Sequence, residues 1–216
     1  MKMSCLICNQ DTKKFFDIKG TIAYYYCPHC RCISKSPEHF KPMMEQKARY
    51  DLHENDPEDV RYQAYFQRFL DFVLPLVETP KSALDFGCGS SSLLAQMLKE
   101  KGILADYYDP IYHPNNLYDS KKYELIVSTE VFEHLHDPKA IFAQLTELLK
   151  EGGHLALQTQ FHPDNIEAFK QWYYHLDPTH IIFFTPHTFR VMCEMYGCTL
   201  VADNRKNMVV IRKNDS

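Results

Sequence analysis

Short apolar runs separated by polar turns divide most of this chain, and their periods alternate between strand and helix. From Lys81 to Gly102 the sequence reads KSALDFGCGSSSLLAQMLKEKG. Ala83 and Leu84 predict a short strand ending at Asp85. A turn with Gly87 and Gly89 follows, and Leu93, Leu94, Met97 and Leu98 then recur with a helical period. Ser90, Ser91 and Ser92 suit the start of that helix, because a serine hydroxyl accepts from a first-turn N–H. Ile103 to Tyr108 predicts a second strand, closed by Asp109-Pro110. Leu125 to Ser128 is continuously apolar, as central parallel strands are. Asp137-Pro138 opens a helix to about Lys150, with Ile141, Phe142, Leu145, Leu148 and Leu149 inward and Gly152-Gly153 ending it. His154 to Thr159 is the next strand. Val201 and Met208 to Ile211 fall in two last strands joined by a turn at 203–207. Upstream, Val60, Ala64, Phe66, Phe69, Leu70, Val73 and Leu74 predict a helix between Asp59 and Val77, broken by Pro75 and Pro80.

Strand, glycine turn and helix start together form the element with which an α/β sheet cradles a cofactor at the carboxyl end of its first strand. The chain has only seven glycines, and two of them stand one residue apart in this turn. Asp109, at the tip of the second strand, is placed to accept from a ribose hydroxyl. No Gly-Lys-Ser/Thr follows the turn, so it is not a P-loop. The G-x-G-x-x-G fingerprint is incomplete, which disfavours a nicotinamide-dependent oxidoreductase. The pattern fits a nucleoside-bearing cofactor without a pyrophosphate.

The first 36 residues carry a different signal. Cys5-x2-Cys8 and Cys27-x2-Cys30 flank two strand-like runs, KKFFDI and TIAYYY. Two such knuckles joined by a hairpin supply the four soft ligands tetrahedral zinc requires, and so short a segment needs a staple to fold. A metal-free ribbon or an iron site with the same ligands is the alternative. Cys32 reads as a buried or spare thiol. Residues 37–58 form a charged, proline-containing linker in which Arg49, Tyr50 and His53 are candidates for a lid. Residues 59–216 form the second domain.

LDFGCGSS, YYDP, YELIVSTEVFEHLHDP and LLKEGGHLALQT, in that order, resemble the class I S-adenosylmethionine-dependent methyltransferases, most nearly the bacterial type 11/type 23 group with an N-terminal zinc ribbon. The resemblance implies an α/β, Rossmann-like, doubly wound and mostly parallel seven-stranded sheet ending in an antiparallel hairpin, with the ribbon as a small appendage. It implies S-adenosylmethionine as cofactor, with Asp85, Phe86, Gly87, Cys88 and Gly89 around its methionine part. Asp109 and Pro110 would then face the ribose, and Thr129, Glu130 and Val131 the far wall. Two departures stand out. Ser91 replaces the third small glycine, and Ile111 to Lys122 is too short for the usual third strand and helix.

Methyl transfer needs an acceptor in line with the methyl–sulfur bond and, for some acceptors, a base within reach. The candidates are Glu130, Glu133, His134 and His180. Trp172, Phe183 and Phe184, in the aromatic insert from Gln160 to Thr185, read as core packing, whereas His180 is placed to face the cleft. Glu130, Glu133, His134 and His180 also resemble, in order and context, the divalent-metal ligands of small-RNA 3′-end 2′-O-methyltransferases.

Charge narrows the acceptor. The chain carries a formal −4, with no global basic footprint for nucleic acid. Residues 1–50 hold nine Lys/Arg against four Asp/Glu, an excess that four metal-bound thiolates would reduce by about two charges. A small-molecule acceptor is expected, with RNA (an rRNA base or a metal-assisted 3′ end) or a non-catalytic partner-binding module as alternatives. No DNA partner is expected. No run approaches a membrane span and no signal sequence opens the chain, so a cytoplasmic location is expected. These patterns leave the oligomeric state open.

Overall fold

A computed structural model describes residues 3–42, 45, 47, 49, 51, 56–115 and 120–215. Tyr50 and His53 lie outside the described residues. Two sheets organise the chain. The larger has six strands: β4 (Ser82–Phe86), β5 (Leu104–Tyr108), β6 (Tyr123–Thr129), β7 (Leu149–Gln158), β9 (Cys198–Asp203) and β10 (Met208–Lys213), in the order β5-β4-β6-β7-β10-β9. The first four are mutually parallel, and β10 runs antiparallel to both β7 and β9. The expected seventh strand is not formed among the described residues, because Ile111 to Lys122 cannot hold both a strand and its crossover helix.

Strand side chains alternate between faces, and each face buries its own set. Ala83, Leu125, Val127, Ala156 and Val210 meet α1 (Val60–Val73) and α2 (Leu93–Glu100) through Phe69, Leu70, Leu94 and Leu98. Leu84, Ile126, Leu155, Leu157, Val209 and Ile211 meet α3 (Pro138–Leu148) and α5 (Pro186–Met195) through Phe142, Leu145, Phe189 and Met192. Burial on both faces is why these strands read as continuous apolar runs. Helices on both faces make the sheet doubly wound, as expected.

Local boundaries differ from the sequence reading in three places. α1 ends at Val73, where a single 3₁₀ turn over Leu74–Leu76 accommodates Pro75. α3 starts as expected, with Asp137 accepting from the Ala140 amide at 2.9 Å, but ends at Leu148 and passes directly into β7. The Gly152-Gly153 pair therefore lies inside a strand. A Cβ on Gly153 would meet the carbonyl oxygens of Lys150 at 2.9 Å and Tyr123 at 3.1 Å, next to the register shift between Tyr123 and Leu125. Close backbone approach, and not helix termination, requires that glycine. Ser92 precedes α2 as N-cap, yet its φ of +46° leaves its side chain without a capping bond.

The second sheet comprises β1 (Lys13–Phe16), β2 (Ala23–Tyr26), β3 (Ile33–Lys35) and β8 (Ile182–Phe183), in that order and antiparallel throughout. Its fourth strand comes from the aromatic insert. Between β7 and β8 lie the short α4 (Ile166–Gln171) and a 3₁₀ turn at Tyr173–Leu176. Phe169, Trp172 and Phe183 pack around Tyr24 and Phe15, so Trp172 and Phe183 are core side chains. Phe184 stacks on Phe189. The Thr188 hydroxyl donates to the Cys30 carbonyl at 2.9 Å, tying the second knuckle to the start of α5.

Candidate active site

The chain leaves β4 for β5 on one side and returns to β6 on the other. The carboxyl ends of β4 and β6 therefore form the topological switch point, where such sheets place their ligands. Gly87 and Gly89 take φ of +81° and +65° there. A Cβ on Gly87 would lie 2.3 Å from Val131 Cγ2, so the turn and the segment after β6 touch through the missing side chain. The Gly87 and Cys88 amides donate to the Tyr108 carbonyl at 2.8 and 3.1 Å. Asp109 binds the turn from β5: its carboxylate accepts from the amides of Gly89 (3.1 Å), Ile111 (2.8 Å) and Tyr112 (3.0 Å).

Asp85 is buried, and burial pushes its carboxyl up to about 7. Among the described residues its Oδ2 has no hydrogen-bond partner, and neither has the buried Ser128 hydroxyl on β6, which points to the opposite face of the sheet. Phe86 is buried against the Tyr108 ring, 5.3 Å between centroids. Cys88 is buried and its thiol raised by burial. Pro110 is exposed, and Thr129 and Val131 are half-buried.

Past β6 the backbone turns sharply. Glu130 has φ of +54°, and its amide donates to the Gln158 carbonyl at 2.8 Å. Its two carboxyl oxygens accept from different elements, Tyr65 of α1 at 2.7 Å and Tyr174 of the insert at 2.8 Å. The Tyr174 hydroxyl also lies 2.5 Å from Glu133 Oε1. One phenolic hydrogen cannot satisfy two carboxylates at once, so the second contact needs a proton on a carboxyl. Burial, and then the neighbouring Glu133, push Glu130 up to about 8; burial raises Glu133 as well. Gln158 donates to the Tyr65 hydroxyl and closes the network.

Glu133 and His134 sit in a 3₁₀ turn at Phe132–His134, with Glu130 before it. Glu130, Glu133 and His134 therefore do not share one helical face, and Tyr174 joins the two glutamates. His134 Nδ1 faces the Thr179 carbonyl at 3.0 Å, and His180 Nδ1 faces the Tyr174 carbonyl at 2.8 Å. Carbonyls only accept, so both Nδ1 atoms carry hydrogen and both Nε2 atoms of the neutral rings present lone pairs. Burial, then the neighbouring His134, lower His180 to about 4, and burial lowers His134. The two rings lie 4.8 Å apart. One ligand atom from each of Glu133, His134 and His180 falls within 4.8 Å of the others, and Glu133 Oε2 is buried without a hydrogen-bond partner among the described residues.

Glu130, His134 and His180 are thus brought together. Tyr65, Tyr174 and Gln158 join them unforeseen. Tyr65 stands beside the apolar stripe of α1, and Tyr174 lies in a run of aromatics that otherwise packs the core. Periodicity carries no mark of either hydroxyl's partner. Arg49, from the linker, pairs with Asp177 at 3.1 Å, beside this group.

In the ribbon, Cys5, Cys8, Cys27 and Cys30 offer sulfurs within 4.8 Å of one another, with Cys5–Cys30 at 3.4 Å and Cys8–Cys27 at 3.5 Å. A tetrahedral ion with bonds of about 2.3 Å spaces its sulfurs by roughly 3.8 Å. The set fits a structural metal, while the buried Cys32 falls outside the four.

Residues 58–203 match the family model described as a methyltransferase domain. A comparison with curated proteins gave no match. Among solved structures, the chain is similar to the 1,6-didemethyltoxoflavin-N1-methyltransferase of Burkholderia thailandensis, with 15% identity, TM-score 0.59, 94% of this chain and 100% of that one covered. An O-methyltransferase family protein from Burkholderia thailandensis aligns with 14% identity and TM-score 0.50, over 79% of this chain; the chain spans 63% of that protein's length. The [4+2]-cyclase SpnF aligns with 12% identity and TM-score 0.50, over 76% of this chain and 86% of its own. A cyclase on the same fold shows that these likenesses define architecture and not reaction. The chain belongs to the methyltransferase-domain family, and its larger domain is of the class I S-adenosylmethionine-dependent kind. No helix among the described residues is long and apolar enough to cross a membrane.

Proposed function

We propose that this protein transfers a methyl group from S-adenosylmethionine to a small-molecule acceptor at the carboxyl ends of β4 and β6. The observation that carries this reading is Asp85 Oδ2, a buried carboxyl oxygen without a hydrogen-bond partner among the described residues, at the end of β4 where the Gly87–Gly89 turn begins. A polar ligand group at the end of β4 would satisfy it. When bound, the cofactor supplies an electrophilic methyl group. Asp85, Phe86, Gly87, Cys88 and Gly89 would hold its amino-acid end, with Asp109 and Pro110 towards its ribose and Thr129, Glu130 and Val131 opposite.

On the acceptor side, His180 is neutral with its Nε2 lone pair available to take a proton, and Glu130 is the acceptor's second polar contact. His134 fixes the Thr179–His180 segment through its bond to the Thr179 carbonyl. Calorimetry with S-adenosylmethionine and S-adenosylhomocysteine tests the cofactor reading: saturable binding of both is expected, and binding of neither would leave only a partner-binding module. With an acceptor in hand, His180→Ala is expected to lower turnover by about 10²-fold or more, the usual scale of a lost general base, while S-adenosylhomocysteine affinity stays the same.

A hydroxyl acceptor engaged through a divalent ion is the second reading, favoured by the Glu133–His134–His180 cluster. Both imidazoles are oriented by backbone carbonyls, as metal-ligating histidines commonly are. One carboxylate and two imidazoles suit a borderline ion such as manganese, cobalt or zinc. Two metal equivalents per chain, falling to one in the His134→Ala/His180→Ala double variant, would support it. One equivalent in both proteins would remove it. The ion in the four-cysteine cluster is proposed to be zinc.

A further inference from the structure

Lys35 closes β3 and is 2% exposed, yet no carboxylate pairs with it among the described residues. Its Nζ reaches only the carbonyl oxygens of Asp177 and Pro178, each at the long distance of 3.4 Å. The Asp177 carboxylate, nearest in charge, is occupied by Arg49 and by the Thr179 amide and hydroxyl. A buried ammonium without a counter-ion is costly. It lines a cavity of about 310 Å³ between the ribbon and the 177–178 loop, with Ile22, His39, Phe40, Lys41 and Pro178 among the other walls. Glu38, the one carboxylate in that lining, is an exposed residue facing His39 at 3.6 Å.

We propose that this cavity is a subsite for an anionic group, carboxylate or phosphate, on the methyl acceptor, with Lys35 as its buried counter-ion. The assignment to the acceptor rests on the methyl-transfer reading; the anion site itself does not. Position supports the link. The loop whose carbonyls Lys35 touches continues into Thr179 and His180, and the Lys35 charge is felt at both His134 and His180. Burial lowers the Lys35 amine to about 8, so it is still mostly protonated at neutral pH. The ribbon would thereby supply a specificity residue to a pocket whose reacting centre belongs to the other sheet.

The test uses the full metal-loaded chain with inorganic phosphate and, separately, acetate at constant ionic strength. Saturable binding by calorimetry, with a rise in melting temperature, is expected for the wild type. Stronger phosphate binding would indicate a phosphorylated acceptor, and stronger acetate binding a carboxylate. Lys35→Met should weaken binding at least tenfold, Lys35→Arg by no more than about threefold, and neither should alter S-adenosylhomocysteine affinity. Because Lys35→Met removes an unpaired buried charge, its melting temperature without anion should equal or exceed that of the wild type. As a measurement independent of that variant, phosphate should slow acylation of wild-type Lys35 at least threefold and leave Lys13 unchanged. Equal phosphate binding by wild type and Lys35→Met, no saturable anion binding, or no protection of Lys35 would each overturn the subsite. Loss of S-adenosylhomocysteine binding with anion binding intact would overturn the methyltransferase reading alone.

Discussion

The two sheets of this molecule are held by different physics. In the six-stranded sheet, β4, β6, β7 and β10 are buried on both faces, and their stability is spread over many aliphatic contacts. The four-stranded sheet has a small aromatic cluster around Tyr24 and Phe169, with four cysteine sulfurs gathered at its knuckles. A dispersed core tolerates the loss of one contact. A sheet that depends on one metal staple, as proposed for this one, does not. The candidate site residues lie where the two regimes meet, because β8 pairs with β3 while the loop before it carries Thr179 and His180.

Removing the proposed ion of the four-cysteine cluster should show the contrast most clearly. Structural zinc in comparable small sites is worth about 10–16 kcal/mol of apparent binding free energy. A strong chelator, or Cys27→Ser, is therefore expected to abolish hydrogen-exchange protection in β1–β3. Protection at β8 and the 177–180 loop should fall with it, while β4, β6 and β7 keep theirs. Full retention of protection in β1–β3 would mean that packing alone holds the ribbon.

Gly87→Ala probes the larger sheet at the crowded turn after β4. The added methyl must enter the 2.3 Å approach to Val131 at a φ of +81°, which costs about 1–2 kcal/mol for the backbone alone. S-adenosylhomocysteine affinity should drop at least 30-fold, about 2 kcal/mol. Adding Val131→Ala should recover part of it, by relieving the contact but not the backbone. An unchanged affinity in Gly87→Ala would detach the turn from the cofactor.

A third expected effect is a pH slope. Glu130 is raised from 4.5 to about 8 by burial and by Glu133, so between those values the folded state holds a proton that the unfolded chain has released. Its contribution to stability is present at acid pH and is lost as pH rises through that window, by up to about 1.4 kcal/mol per pH unit. Chemical denaturation from pH 5 to 9 should show the decline, and Glu130→Gln should flatten it. Parallel slopes in the two proteins would place the shared proton elsewhere.

Several features were legible in the residues themselves. The alternation of strand and helix periods located every strand of the larger sheet, and the two Cys-x2-Cys pairs located the sulfur cluster. Local chemistry also marked the Asp137-Pro138 helix start. The misplaced boundaries share a cause: Gly152-Gly153 and Ser92 obey demands of strand packing and backbone angle that a local propensity does not contain. Tyr65, Tyr174 and Lys35 were invisible for a stronger reason, since their partners are 65, 44 and more than 140 residues away.

By itself, the sequence determined which segments would be buried, which turn needed glycine and which four thiols could share an ion, because period, backbone freedom and ligand spacing are local properties. Only the tertiary structure decided that one tyrosine hydroxyl joins Glu130 and Glu133, that backbone carbonyls orient the two imidazoles of His134 and His180, and that Lys35 is buried without a carboxylate partner among the described residues. Each depends on which distant groups burial forces into contact, and that is settled by packing.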